Sequence, residues 1–195
     1  MAGIKNDQGK TEAIFFYIVP AAILHGNHFI REIAYEIEDL ICNTVMNPAN
    51  CPTHLRNIVH YILDYLDEQE ALLSVDAVCD VSKLGAIKYG LYNYQDGLAV
   101  DRLINALCRH FSQWLHGEYF DTESGVNHIY HMLANVYMLA YTLHRHPQLN
   151  NMEKVYGKYF AAIRDSRIAN DLETAPQEII SENEVECKFC PKGYC

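Results

Sequence analysis

One stretch of the sequence gathers more ionisable groups than a helical core needs. Arg109 and His110 precede Trp114, and the polar run Gly117-Glu118-Tyr119-Phe120-Asp121-Thr122-Glu123-Ser124-Gly125 leads to Asn127, His128, His131 and Asn135. Glu118 and Asp121 stand in a Glu-x-x-Asp spacing, and hard carboxylate oxygens suit Mg2+ or Mn2+. Mixing them with imidazole moves the preference toward manganese or another transition ion. On a helix, His128 and His131 lie one turn apart, so both can ligate a metal or both can face an anion. A divalent ion held by carboxylates beside Lys or Arg is equipment for activating water against a phosphoryl group. Taken singly, each of these residues reads as an ordinary hydrogen-bonded side chain. The set marks a pocket, and spacing alone does not name its substrate.

Helices must position these groups, because helical periodicity dominates the chain and strand alternation is nearly absent. Apolar residues recur at Phe29, Ile30, Ile33, Ile37, Leu40 and Ile41, which predicts a first helix ending at Asn47-Pro48. A second is expected over about 54–73, with Leu55, Ile58, Val59, Ile62, Leu63 and Leu66 inward. A third is expected over about 75–89, with Gly90 as its cap. The fourth spans about 99–116 and puts Leu103, Ala106, Leu107 and Trp114 on one stripe, with His110 on its flank. The fifth spans about 126–146; Ile129, Met132, Leu133, Val136, Ala140 and Leu143 form its expected core face, and His128, His131 and Asn135 an adjacent one. A weaker sixth helix is expected between Met152 and Arg164. The short loop between the fourth and fifth helices favours an antiparallel pair. The expectation is an all-α fold, a compact bundle of five to six helices with a loosely packed C-terminal tail.

Composition narrows the partners. The chain has 195 residues, 15 basic and 25 acidic, for a net charge of −10. Such a chain does not hold long nucleic acid through general phosphate attraction. The longest apolar run, Ala13 to Leu24, is broken by Pro20 and too short to cross a bilayer, so no membrane partner is expected. Seven cysteines, four of them scattered singly, point to reduced thiols in a cytoplasm. Cys187, Cys190 and Cys195 crowd the C-terminus without the four ligands a zinc knuckle needs. Glu32, Glu36 and Asp39, opposite Asp64, Asp67 and Glu68, read as a solvated acidic face.

The blocks Lys83-Leu84-Gly85-Ala86-Ile87-Lys88-Tyr89-Gly90, Asn93-Tyr94, Ala106-Leu107-Cys108-Arg109-His110, Gly117-Glu118 with Asp121 and Glu123-Ser124-Gly125, and His128, His131 and Asn135 resemble a known family. It is the phage-associated dATP/dGTP diphosphohydrolase N-terminal domain family, linked to MazG-type and MazZ-type pyrophosphohydrolases. Five ordered blocks over about residues 75–145 make the likeness specific, although Tyr94 stands where the family more often has tryptophan. Asp7-Gln8-Gly9-Lys10 and Val19-Pro20 resemble the family's opening segment.

The resemblance implies a helical nucleotide-handling domain over 1–165, with 25–70 as a helical insertion; residues 166–195, where the helical pattern dissolves into acidic sequence, read as a linker and cysteine-bearing tail outside the family pattern. It implies cleavage of dATP or dGTP to the monophosphate and pyrophosphate in the cytoplasm of a phage-infected bacterial host, by a homo-oligomer using Mg2+ or Mn2+. Carried onto this chain, Glu118, Asp121 and His110 would be catalytic, and Glu118, Asp121, His128 and His131 would hold the metal. Lys88 and Arg109 would neutralise phosphate, while Tyr89, Asn93, Tyr94 and Asn135 would hold the rest of the nucleotide. The competing expectation is a non-catalytic protein that uses the same pocket to sequester a nucleotide or a nucleotide-derived immune signal.

Overall fold

Asn27 opens the first helix by accepting the Ile30 backbone N–H at 3.4 Å on its side-chain oxygen. That helix, α1 (His28–Met46), gives way at Asn47 to a Pro48–Asn50 turn and then to α2 (Cys51–Tyr65). Proline in the first turn of α2 costs nothing, because its missing N–H would have no helical partner there. Asp67 caps α3 (Glu68–Tyr89) by accepting from the Glu70 N–H at 2.8 Å, and Gly90 ends it at φ 98°. After a Asn93–Asp96 turn come α4 (Val100–Leu115) and α5 (His128–Arg145), the latter capped by Asn127. Residues 152–157 are helical again. The computed structural model describes residues 26–157, together with Ala22 and Ala161. The expectations for the opening segment and for the cysteine-bearing tail lie outside the described residues.

The fold is all-α, as expected, and no strand occurs among the described residues. A single antiparallel bridge, Phe120 to Asn127, closes the loop between α4 and α5. The Leu98 N–H meets Thr142 Oγ1 at one end of these two helices, and His110 meets His128 at the other, so they run antiparallel. Ile33 of α1, Ile62 of α2, Phe111 and Trp114 of α4, and Ile129 and Met132 of α5 come together at one point of the core. Burying each such side chain contributes about 1.5–3 kcal/mol, which makes this junction the main anchor of the bundle. The α1–α2 pair adds a polar clasp: Glu36 accepts from Asn57 at 2.8 Å and lies 2.8 Å from His54 Nδ1, whose other ring nitrogen is 3.1 Å from Asn43. Glu36 therefore departs from the expected solvated face, because its partners on α2 turn it inward.

Two further expectations are corrected. The second helix stops at Tyr65 rather than running to Leu73, since Asp67 starts a new helix by capping it. On α5 the buried stripe ends in Leu139 and Thr142, whereas Ala140 is exposed. Helix α3 differs from the rest. It packs chiefly on α5, and Ser74 is the one buried residue among its described side chains, while Leu72, Leu73, Val75 and Ile87 face outward. Among the described residues, no helix is long and apolar enough to cross a membrane.

Gly97 holds the start of α4 against the end of α5. Its φ of +73° suits glycine, and an added Cβ would sit 2.6 Å from Leu149 Cδ1 and 2.9 Å from the His146 ring. Gly97→Ala is expected to lower stability by about 1–3 kcal/mol. Gly117→Ala shares the strain of a positive φ (+85°) but meets open space, so it should cost less. Thermal unfolding followed by circular dichroism checks this, and equal melting temperatures for the two variants would refute the close-contact account.

Candidate functional site

The loop between α4 and α5 folds so that one of its acidic side chains turns inward and another turns out. Gly125 N–H donates to the Asp121 carbonyl at 2.7 Å, Asp121 N–H to Val126 O at 2.9 Å, and His128 N–H to Tyr119 O at 2.9 Å. This double turn aims the Asp121 carboxylate back at α5. Asp121 Oδ2 accepts from the Ser124 hydroxyl at 2.7 Å and the Ser124 N–H at 3.1 Å, and it lies 3.7 Å from His131 Nε2. The Ser124 oxygen is in turn 2.8 Å from His131 Nε2. Glu118 instead continues the last turn of α4, with its N–H on Gln113 O, and its side chain is exposed.

Three imidazoles gather beside Asp121. His110 Nδ1 lies 2.8 Å from His128 Nδ1, and the His110 and His131 rings stack at 4.5 Å and 11°. His110 and His128 are both buried. The ligating atoms of His110, Asp121 and His128 all lie within 4.8 Å of one another. Two ring nitrogens pointing at each other either share one proton or direct both lone pairs at a cation. Such a donor set, two imidazoles and one carboxylate, fits a transition ion better than magnesium. Asp121 carries the charge such a site needs. Burial pushes its carboxyl pKa up, but the Ser124 hydroxyl and the His131 and His128 rings outweigh this and hold it below the ordinary value. For His128 burial dominates and lowers the pKa, with Asp121 and Glu118 opposing, which favours the neutral form that can ligate.

The cluster opens into a cavity of about 620 Å³ between the second half of α3 and the α4–α5 pair. His110, Asp121, Ser124 and His131 line one end of it. Lys88, Tyr89, Asn93, Tyr94, Arg109 and Asn135 line it too, so these six expected substrate contacts share one space. Lys88 pairs with Glu123, whose carboxylate raises the pKa of the amine. Tyr94 packs against Tyr137 with ring centroids 5.9 Å apart. Two expected members stand apart: Glu118 lies outside the lining, and His128 sits behind the wall, in reach through His110. Sequence reasoning gave no role to Ser124, Glu123 or Tyr137. The Asp-x-x-Ser spacing of a turn closed by its own side chain was the available signal for Ser124.

The fold defines a helical domain with a cavity whose largely apolar walls carry two imidazoles, the carboxylates of Asp121 and Glu123, and the cations of Lys83, Lys88 and Arg109. Residues 64–152 match the family described as dATP/dGTP diphosphohydrolase, N-terminal, and the resemblance in the sequence blocks is borne out over this stretch. Every candidate residue lies inside the matched segment, while α1 and nearly all of α2 precede it and still complete the core. Nothing among curated proteins or solved structures matches the chain.

Proposed function

We propose that this chain is a metal-dependent nucleoside triphosphate pyrophosphohydrolase acting on purine deoxynucleoside triphosphates. The observation that carries this reading is the meeting of His110, Asp121 and His128 donor atoms at one end of a cavity that Lys88 and Arg109 also line. The matched family's name supplies the substrate class. In the reaction, water adds to the α-phosphorus and the bridging oxygen toward the β-phosphorus leaves, giving the monophosphate and pyrophosphate. His110, His128 and Asp121 would hold Mg2+ or, better suited to these ligands, Mn2+, with His131 beside them. When bound, such an ion supplies charge neutralisation and an acidified water.

The chain's own groups do the remaining work. Arg109 and Lys88 offset phosphate charge, and Lys88 must exchange its Glu123 partner for a phosphate oxygen to do so. His131, which lines the cavity beside the metal ligands, is the group able to take the proton that water releases. Tyr94 and Tyr137 offer aromatic surface to the base.

Incubation of the full chain with a panel of nucleoside and deoxynucleoside triphosphates, with Mn2+ or Mg2+, tests the reading by product mass. The expected result is dAMP or dGMP plus pyrophosphate, lost on adding a chelator. Tight nucleotide binding with no product under any metal would replace the enzyme with a sequestering protein.

A further inference from the structure

One residue of the cavity wall, Asn135, has a side chain that the bundle satisfies at one atom and leaves unpaired at the other. Asn135 is 4% exposed and lines the cavity. Its Nδ2 donates to the His131 carbonyl at 2.8 Å, which fixes the orientation of the amide, because a carbonyl can only accept. The other atom, Oδ1, is therefore a buried acceptor, and among the described residues it has no hydrogen-bond partner. An acceptor left in that state is costly, so a donor brought by a ligand gains more there than at a solvated site.

Helix α5 orders the cavity along its axis. His131, at the Asp121 end, is followed about 6 Å further on by Asn135, and then by Tyr137 and Met138 on the wall that Tyr94 faces. A nucleotide has its own fixed order: phosphates, then sugar, then base. With phosphates beside the His–Asp cluster and the base against the tyrosines, the sugar falls at Asn135. Deoxyribose in a nucleoside triphosphate carries a single hydrogen-bond donor, the 3′-hydroxyl.

We propose that Asn135 Oδ1 accepts a hydrogen bond from the 3′-hydroxyl of the substrate sugar, so the site selects nucleotides that keep this group. The inference rests on the nucleotide reading above and goes one step further, to the sugar. A buried polar site discriminates most strongly against the analogue that leaves it unpaired.

The test compares dATP with 2′,3′-dideoxyadenosine triphosphate on the full chain, by kcat/KM and by calorimetric binding. The parent is expected to prefer dATP by roughly ten- to hundred-fold. Asn135→Ala should bring that ratio close to one, whereas a residue that only braces α5 would lower both substrates alike and keep the ratio. A parent that handles both nucleotides equally overturns the proposal while leaving the enzyme reading in place, and this arm stands even where Asn135→Ala fails to fold. An unchanged ratio in a folded Asn135→Ala also overturns it. A parent that neither binds nor cleaves either nucleotide overturns both readings.

Discussion

Asp121→Asn is expected to lower kcat/KM for a purine deoxynucleoside triphosphate by roughly a hundred-fold or more, with the fold retained. The side chain is placed by the Ser124 hydroxyl and N–H and faces the imidazoles of His110, His128 and His131. An amide fills the same space but carries no charge, so it would hold a divalent ion far more weakly and could not balance the nearby rings. Asp121 is only partly buried and belongs to a loop, which is why stability should change little. His128→Ala should also abolish turnover, but His128 is fully buried beneath the cluster, so that variant loses packing as well. The asparagine variant is the cleaner probe. Its rate of pyrophosphate release, read beside its circular dichroism spectrum, decides the matter; full activity in a folded Asp121→Asn would remove the catalytic role from this cavity.

Phe111→Ala should have the largest effect on stability, a loss of about 3–5 kcal/mol. Phe111 is completely buried where α1, α2, α4 and α5 meet, and its ring lies parallel to that of Trp114 at 6.5 Å. Four helices converge there, so a cavity cannot collapse without moving an entire element. Against a typical domain stability of about 5–15 kcal/mol, this loss removes much of the margin. Ile87→Ala provides the contrast: Ile87 is 83% exposed, and its truncation should stay within about 0.5 kcal/mol. Urea unfolding of both variants checks the pair. A cost below about 1 kcal/mol for Phe111→Ala would mean that α1 and α2 do not share a core with α4 and α5.

The sequence pattern revealed α4 well, because Leu103, Ala106, Leu107 and Trp114 repeat on a single buried face with polar residues opposite. It also revealed the spacing of His110, His128 and His131, since helical geometry converts spacing directly into direction. It failed where direction depends on a loop. Glu118 and Asp121 are equivalent by composition, yet the turn closed by Gly125 and Val126 sends only Asp121 into the cavity. It also misjudged the second and third helices. Leu72, Leu73 and Val75 look like the continuation of a buried stripe, but periodicity records an apolar face, and not whether the chain covers it. The Asp67 cap, with Glu70 three residues on, was the local signal of the break.

The uneven anchoring of α3 separates two burdens within one small protein. Most of the side chains that make the bundle cohere belong to α1, α2, α4 and α5, whereas α3 supplies Lys88, Tyr89 and a long stretch of the cavity wall while burying almost nothing. Substitutions along α3 can therefore reshape what the cavity admits at little cost in folding. A lineage could explore new ligands on that helix and leave the His–Asp cluster and the core beneath it untouched.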